Sequence, residues 1–312
     1  MSGNWDEREF ERLIAPHRRE LHAHCYRMLG SVADADDALQ EALLGAWRGY
    51  AGFEGRSSLR SWLYRIATNA CFQMLAARPR RQLPFEHGAA SAPQSALDPM
   101  LEGPLWLEPY PEDPEATFEL RESLELAFVA ALQHLPATQR AALILREVVG
   151  LSALEVAELL GTSAPSIESA LQRARKTVEA RVPARTQQVT LRELGDEATG
   201  ALVARYIGAW ESADAAALLE LLSQDAKFSM PPIPNWFEGR EDVVRFFAER
   251  VFATPWRLRP LRASGQLAFA CYQGPEFRLG ALNVITLRGA EISELNGFLS
   301  PALHGRFFLP DR

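Results

Sequence analysis

The amino-acid sequence predicts a multidomain protein: two all-α domains, a helical bundle and a helix-turn-helix, followed by an α+β domain shaped like a cone. Apolar residues recur at helical spacing from residue 8 to 77 and again from 119 to 180, as buried helix faces require. From residue 197 the pattern changes to a few helices and then alternating strands, with a turn at Ser264-Gly265. Helices that precede an antiparallel sheet favour a curled sheet packed on helices.

Composition limits the class of protein. The chain has 312 residues, 47% of them hydrophobic, and no apolar run near the ~20 residues that a membrane-spanning helix needs. The charged N-terminus does not resemble a signal peptide. Cys25, Cys71 and Cys271 are far apart and form no CxxC pair, which is typical of a reducing compartment and predicts neither disulfides nor a zinc site. We therefore expect a cytoplasmic protein with no membrane partner, no metal and no cofactor.

The formal net charge of −7 is unusual for a protein that binds DNA alone, because phosphate contacts need a basic surface. Either the basic surface is local, or a partner supplies part of the affinity for DNA. The order of the motifs along the chain favours a partner.

An acidic helix face is the main feature of the first domain. The segment 31–50 places alanines and leucines on one helical stripe and acidic residues on the opposite face. Such a face is usually solvated, but it can also receive a basic helix of a partner. The candidate docking residues are Asp34, Asp36, Asp37, Gln40 and Glu41, and Asp34 is also expected to cap the helix.

Aromatic residues and arginines follow this helix. Gly52 and Gly55 predict a loop, and Ser57 and Ser58 are expected to cap the next helix. Rings beside arginines suit single-stranded nucleic acid, because bases stack on the rings while the cations neutralise phosphate. Trp62 lies at core spacing and is interpreted as a core residue. The candidate nucleic-acid contacts are Phe53, Arg56, Ser57, Arg60, Arg65 and Asn69.

A helix-turn-helix pattern lies between residues 150 and 180. Gly161 can adopt the positive φ that ends its first helix, Thr162 and Ser163 can cap the second, and Pro165 falls in the first turn of the second. Small polar side chains at the start of a helix and cations near its end suit a DNA major groove. The alternative is a helical hairpin without DNA contacts. The candidate DNA contacts are Ser163, Ser166, Ser169, Gln172, Arg173 and Lys176.

Residues 83 to 118 have a different composition, with seven prolines, several acidic residues and no lysine or arginine. This composition predicts a linker. It is either a simple spacer or an acidic strand that occupies a basic nucleic-acid channel. Its sequence WLEPYP at 106–111 is aromatic for a spacer, and we expect it to pack on a neighbouring domain, the C-terminal one.

The segments HCYRMLGSVADADDALQEALLGAWRGY and GRSSLRSWLYRIATNAC resemble the second sigma domain of extracytoplasmic-function (ECF) sigma factors of bacterial RNA polymerase. The helix-turn-helix resembles the fourth sigma domain, which reads the promoter −35 element. The resemblance covers residues 8 to 182. One departure is Gln73, where the family commonly carries an acidic residue.

This resemblance implies partners and roles. The acidic helix would dock on the clamp of the largest polymerase subunit, and the polymerase flap is a further expected partner. The loop around residues 52–58 and the helix after it would open the promoter −10 element and capture a base. The linker would thread toward the active-site and RNA-exit path of the polymerase.

The C-terminal region resembles the SnoaL-like branch of the nuclear transport factor 2-like fold, which is fused to some sigma factors. The segments MPPIPNWFEGRE and WRLRPLRASGQLAFACY carry this resemblance. Enzymes of this shape need a carboxylate or a His/Asp pair in their cavity, and Asp225, Glu238 and His304 form no recognisable pair. The domain is therefore expected to be a sensor of an unknown small ligand or a regulator that contacts only protein, and not an enzyme. The candidate pocket residues, which also fit a simple core, are Met230, Trp236, Phe237 and Tyr272.

The sequence thus predicts a sigma factor that directs core RNA polymerase to promoter DNA and is regulated in cis by its C-terminal domain. One alternative is a cone-fold enzyme or ligand sensor with a DNA-binding appendage, and another is a repressor that binds duplex DNA alone. The expected divisions are sigma domain 2 at 8–82, an acidic linker at 83–118, sigma domain 4 at 119–182, a linker at 183–195, and the SnoaL-like domain at 196–310.

Overall fold

The computed structural model describes residues 7–101, 103, 105–112, 117–307 and 309. The helices are α1 (Glu7–Ile14), α2 (Arg18–Leu29), α3 (Val32–Gly49), α4 (Leu59–Leu75), α5 (Phe118–Glu122), α6 (Leu126–Gln133), α7 (Ala137–Leu143), α8 (Ala153–Leu160), α9 (Ala164–Glu179), α10 (Gln187–Leu194), α11 (Asp196–Glu211), α12 (Ala215–Leu219), α13 (Arg240–Glu249) and α14 (Pro301–His304). The strands are β1 (Leu222–Met230), β2 (Ile233–Glu238), β3 (Trp256–Ala263), β4 (Gln266–Gln273), β5 (Arg278–Arg288) and β6 (Glu291–Phe298).

The chain divides into two compact units. The first unit combines residues 1–81 with 127–183, and the second combines 82–126 with 184–312. The acidic segment predicted as a linker therefore belongs to the second unit together with α5 and the first residue of α6. Residue 310, the predicted end of the last domain, lies outside the described residues.

A bundle of α2, α3 and α4 forms the first part of the first unit. Its helices begin where the sequence supplies a cap: the Ser58 hydroxyl accepts a hydrogen bond from the Ser61 backbone N–H at 3.0 Å, and the turn before α3 uses Gly30 at φ 72°. Leu21, Met28 and Ala38 are buried in its core. The helical bundle predicted from the apolar spacing is confirmed.

Helices α7, α8 and α9 pack together as the helix-turn-helix domain; α7 also contacts α2 and α4, and α8 contacts α4. Arg140 on α7 is 4% exposed and joins the two parts. Its guanidinium donates to the backbone carbonyl of Met28, to the Gln133 side chain at 2.8 Å and to the Leu135 carbonyl at 3.1 Å. Burial lowers the pKa of Arg140 to about 10, so the group is still charged at neutral pH and depends on these acceptors.

The second unit contains a six-stranded sheet in the order β2-β1-β6-β5-β4-β3. Strand β1 runs parallel to β6, and the other neighbouring pairs are antiparallel. Helices α11, α12 and α13 cover one face with an aromatic core, in which the rings of Phe237 and Phe246 stack at 4.2 Å between centroids. This is the α+β architecture that the sequence predicts. Residues 183–195, expected to be a linker, contain α10, whose Gln187 side chain exchanges two hydrogen bonds with the Leu287 backbone at 2.9 and 2.7 Å.

Candidate nucleic-acid interface and docking surfaces

The acidic face of α3 is open to solvent. Asp36, Asp37, Gln40 and Glu41 are all exposed, because the alanine stripe on the other side of the helix is buried in the bundle. His22 lies 3.0 Å from the Asp36 carboxylate, and the Asp36 side chain is still 50% exposed. These four residues therefore form one negative surface, as expected from their spacing.

Asp34 does not belong to that surface, and its prediction as a docking residue is wrong. It is 5% exposed, and its carboxylate forms ion pairs with Arg78 and Arg81. Its expected role as the helix cap belongs to Ser31, whose hydroxyl accepts a hydrogen bond from the Asp34 backbone N–H at 3.2 Å. Asp34 is thus a structural residue that ties α3 to the end of the bundle.

An apolar groove continues the acidic face, and the sequence analysis missed it. Leu44 and Trp47 on α3 are 41% and 40% exposed. Together with Ile14, Leu39 and Leu43 they line a groove of about 620 Å³, which we call the α3 groove. The available signal was spacing: Leu44 follows Gln40 by one helical turn, so large apolar side chains extend the polar face.

The loop before α4 combines rings with exposed polar groups. The Phe53 ring lies 5.0 Å from Trp62 and stacks on Tyr50 at 6.3 Å between centroids. Arg56 and Ser57 are exposed, and Arg56 forms an exposed ion pair with Glu54 at 3.3 Å. Trp62 is half-buried, so it belongs to an aromatic cluster at the surface and not to the deep core.

Three further candidates lie along α4. Arg65 and Asn69 are exposed. Arg60 forms an intramolecular ion pair, in which its guanidinium lies 2.7 Å from the Glu20 carboxylate. Burial alone would raise the pKa of Glu20, but hydrogen bonds from Arg60 and His17 outweigh it and the pKa is lowered. Arg60 is therefore an orienting contact of the bundle as well as a candidate for phosphate.

Helix α9 presents the polar face that the sequence predicts. Ser163 caps it through the Ser166 backbone N–H, and Gly161 ends α8 at φ 65°. Ile167 and Leu171 are buried against the rest of the domain. The candidate contacts, all of them exposed, are Ser163, Ser166, Ser169, Gln172, Arg173 and Lys176.

The four candidate pocket residues of the C-terminal domain have different surroundings. Met230 and Phe237 lie in the core beneath the helices. The Trp236 indole donates instead to the Gly88 carbonyl at 2.8 Å. Tyr272 is on β4, three strands away from β1 in the sheet. A ligand in contact with all four stays a prediction.

The acidic segment is bound along the C-terminal domain over much of its length. The Asn235 side chain accepts from the Asp98 backbone N–H at 2.7 Å and donates to the Ser91 hydroxyl at 3.0 Å. The Arg250 guanidinium donates to the backbone carbonyl of Ser95 at 3.1 Å. Residues 84–101 are therefore held by polar side chains of the C-terminal domain; we call them the held segment.

The WLEPYP sequence packs against the same domain, as predicted. The Tyr110 backbone N–H donates to the Ser264 hydroxyl at 2.9 Å, and the Ser264 backbone N–H donates to the Tyr110 carbonyl at 2.8 Å. Pro111 forms a bridge with Ala263 at the end of β3. The turn between β3 and β4 is thus the docking point for this part of the chain.

Glu125 fixes the end of this segment, just before the chain enters the first unit. It is 4% exposed, and its carboxylate accepts a hydrogen bond from the Gln188 backbone N–H at 3.0 Å, at the start of α10. Burial raises the pKa of Glu125 to about 7, although the backbone N–H groups of Gln187 and Gln188 act in the opposite direction. The next residue, Leu126, donates its N–H to the Gln266 side chain at 3.0 Å.

Family models match the chain in three places. Sigma-70 region 2 matches residues 13–81, Sigma-70, region 4 matches residues 125–178, and the SnoaL-like domain matches residues 203–294. Two sigma regions in this order, with their polar faces exposed, define the class: a sigma factor of the sigma-70 type with an additional C-terminal domain.

Relatives narrow this class. The chain is 42% identical to the ECF RNA polymerase sigma factor SigG of Mycobacterium tuberculosis over 319 residues, which cover 98% of this chain and 86% of that protein. It is 32% identical to the RNA polymerase sigma-H factor of Pseudomonas aeruginosa over 174 residues, 56% of this chain and 86% of that one. The chain therefore belongs to the ECF sigma factors, in the subgroup with a fused SnoaL-like domain, and directs core RNA polymerase to promoters for transcription initiation.

A solved structure has the same fold. The crystal structure of the Mycobacterium tuberculosis ECF sigma factor SigJ covers 98% of this chain and 100% of its own, with a TM-score of 0.62 and 22% identity. Among the described residues, no helix has the length and apolar character needed to cross a membrane. The same residues include no cluster of histidine, cysteine and acidic side chains that could hold a metal ion.

Proposed function

We propose that this sigma factor binds core polymerase through the exposed face of α3, and that its C-terminal domain regulates it by holding the held segment. The observation that carries the first part is the negative surface of Asp36, Asp37 and Glu41 beside the apolar α3 groove. The observation that carries the second is the set of hydrogen bonds between Asn235 and the segment.

Charge and shape together favour a helical partner for α3. A basic helix laid along the acidic face gains attraction and faster association, while its apolar side chains can enter the α3 groove. Leu44 and Trp47 supply the apolar contact that acidic residues alone cannot. The resemblance to ECF factors makes the clamp of the largest polymerase subunit the proposed partner.

Charge reversal tests this surface. We expect Asp37→Lys combined with Glu41→Lys to abolish association with core polymerase, measured by co-purification and by run-off transcription. Glu249→Lys is the matched control, because Glu249 is an exposed acidic residue of the C-terminal domain. Normal association of the double variant would refute the docking proposal.

The DNA contacts follow from the two exposed polar faces. We propose that Phe53, Arg56 and Ser57 approach the −10 element, where the rings of the cluster can stack with unpaired bases. Helix α9 then reads the −35 element in the major groove, with Gln172 and Arg173 near base edges and Lys176 near phosphate. Sigma domain 4 is also proposed to bind the polymerase flap.

Regulation in cis rests on a conflict between two uses of one segment. The resemblance implies that the segment between the sigma domains enters the polymerase channel during initiation. In the structure, residues of this segment bind Asn235, Trp236 and Arg250 instead. A segment cannot do both, so its release is the proposed regulated step.

Removal of a holding side chain tests this regulation. Asn235 is 5% exposed and makes two hydrogen bonds to the segment, so we expect Asn235→Ala to weaken its binding by about 1–3 kcal/mol. Proteolytic cleavage within residues 84–101 should become faster, and run-off transcription should change. Gln224→Ala on the exposed side of β1 is the control. Faster cleavage with unchanged transcription would refute regulation through this segment.

We propose no catalysis for the C-terminal domain. Asp225 forms an exposed ion pair with Arg288 at 2.9 Å. His304 is buried and donates to the Phe298 carbonyl at 2.8 Å, and burial lowers its pKa. Glu238 is exposed. These three groups are engaged or open to water, so none is poised to move a proton inside a cavity.

A further inference from the structure

A cleft of about 750 Å³ lies in the second unit, apart from the candidate pocket residues that the sequence indicated. We call it the edge cleft. One wall is the segment that leads into α5, and the others come from α10, α11, strand β3 and the residues after α14. Its volume is within the ~300–1,000 Å³ range of small-molecule sites.

The walls of the edge cleft are apolar with positive charge among them. Phe118, Leu191 and Leu261 supply the apolar surface. The Arg192 guanidinium stacks on the Phe118 ring at 4.2 Å, and Arg262 is an exposed residue of the edge strand β3. Within the described part of the chain, neither arginine has a carboxylate partner.

The other charges of the edge cleft nearly cancel. Arg121 and Glu112 form an ion pair at 2.7 Å. Asp196, at the start of α11, is the second acidic group in the lining. Three arginines against two carboxylates leave one positive charge in excess, in a cleft whose remaining walls are largely hydrocarbon.

We propose that the edge cleft binds a small amphipathic monocarboxylate, such as a medium-chain fatty acid. Its carboxylate would meet Arg192 and Arg262, since arginine binds carboxylates with strong, charge-assisted hydrogen bonds. Its hydrocarbon chain would lie on Phe118, Leu191 and Leu261 and lose contact with water. One net positive charge suits a monoanion, and the Asp196 carboxylate disfavours a phosphate dianion.

Binding would also stabilise the contact between the two parts of the chain that line the cleft. Phe118 belongs to the chain segment between the sigma domains, whereas Leu261 belongs to the sheet of the C-terminal domain. A ligand in contact with both stabilises the state in which they are together. An effect on transcription rests on the proposed function, but binding itself does not.

Calorimetry with the full chain tests the binding. Octanoate is the probe, and 1-octanol is its uncharged analogue. We expect saturable octanoate binding that Arg192→Gln combined with Arg262→Gln weakens by about tenfold or more, with octanol binding unchanged. Arg257→Gln is the matched control, because Arg257 is an exposed arginine of the same strand that stacks on Phe277 instead.

A second variant tests the apolar wall of the cleft and leaves its charge unchanged. Leu261→Ala should weaken octanoate and octanol binding alike, because it removes part of the apolar wall. Circular dichroism establishes that each variant is folded. Absence of saturable binding, or equal losses in the double variant and in Arg257→Gln, would overturn the proposal.

Run-off transcription separates the ligand site from the proposed regulation. Octanoate should lower the output of the wild-type factor and leave the double arginine variant unchanged. Binding in the calorimeter without an effect on transcription would support the edge cleft as a ligand site and refute the ligand's link to transcription.

Discussion

The two units place their functional side chains in opposite environments. In the first unit the proposed partner contacts, such as Asp37 and Arg173, are exposed above a largely apolar core. In the second unit the side chains that hold the connecting segment, such as Asn235 and Trp236, are buried. Under the proposed function, the first unit binds other macromolecules through exposed side chains, whereas the second unit holds a segment of its own chain through buried ones.

This difference has an energetic consequence. An exposed side chain can change its binding partner with little effect on folding, since most surface substitutions alter stability by less than ~0.5 kcal/mol. A buried polar group cannot be changed so freely, because its partner then loses a hydrogen bond inside the protein. Substitutions should therefore separate binding from stability in the first unit and couple them in the second.

The largest expected effect on stability is that of Arg140. This residue is an exception to the comparison, because it is a charged side chain that is buried in the first unit. Arg140→Ala leaves the Met28 and Leu135 carbonyls without their donor. We expect the free energy of unfolding of the first unit to fall by about 3–5 kcal/mol, measured by urea denaturation. Arg205→Ala is the control, since Arg205 forms an exposed ion pair with Glu220. This substitution should lower the free energy of unfolding by less than ~0.5 kcal/mol. A loss below ~1 kcal/mol for Arg140→Ala would contradict the role we assign to it.

The next largest effect is expected at Glu125, whose ionisation makes the stability of the second unit depend on pH. Its pKa is about 7 in the folded protein against an ordinary value of 4.5, so the folded state keeps the proton more tightly. The free energy of unfolding should then fall as pH rises from about 4.5 to 7, by at most about 3 kcal/mol. Glu125→Gln should remove this loss, because an amide does not ionise.

The measurement for Glu125 is urea denaturation at several pH values between 5 and 8. The wild type and Glu125→Gln should diverge as pH rises, with the variant relatively more stable at pH 8. Glu197→Gln is the control at an exposed acidic position of α11. Parallel pH profiles for the wild type and Glu125→Gln would show that the buried carboxylate does not titrate in this range.

The smallest effect is expected at Arg173. Its substitution tests whether an exposed side chain of the first unit can be changed without a loss of stability. Arg173→Ala should weaken binding of the holoenzyme to a −35 fragment by about 1–3 kcal/mol, measured by fluorescence anisotropy at fixed salt. Its unfolding free energy should stay within ~0.5 kcal/mol of the wild type, because the side chain is exposed. Arg205→Ala should change neither quantity. Equal affinity for Arg173→Ala would remove this residue from the proposed DNA contacts.

Local features were predictable from the sequence. Gly161, Ser163 and Pro165 lie within five residues, and each performs its expected role at the turn between α8 and α9. Such features depend on backbone preferences of neighbouring residues, which a sequence displays directly. The same holds for the exposed face of α9, whose spacing alone defines it.

Distant partners were not predictable in the same way. Asp34 has the same local pattern as its acidic neighbours, but Arg78 and Arg81, 44 and 47 residues further along, make it a buried structural residue. The segment 83–118 has the composition of a linker, but Asn235 on β2 and Arg250 at the end of α13 bind it in the folded domain. Tyr272 is predicted to line the same pocket as Met230, although two strands, β6 and β5, lie between their strands in the sheet.

The distance along the chain between Ser91 and Asn235, 144 residues, has a consequence for the newly made protein. At ~5–20 residues per second, a ribosome needs roughly 7 to 30 s to translate that interval. Both promoter-reading domains emerge before the sheet that restrains the stretch between them. In each nascent molecule the segment between these domains is therefore unbound for a short time. The speed of translation sets the duration of this period.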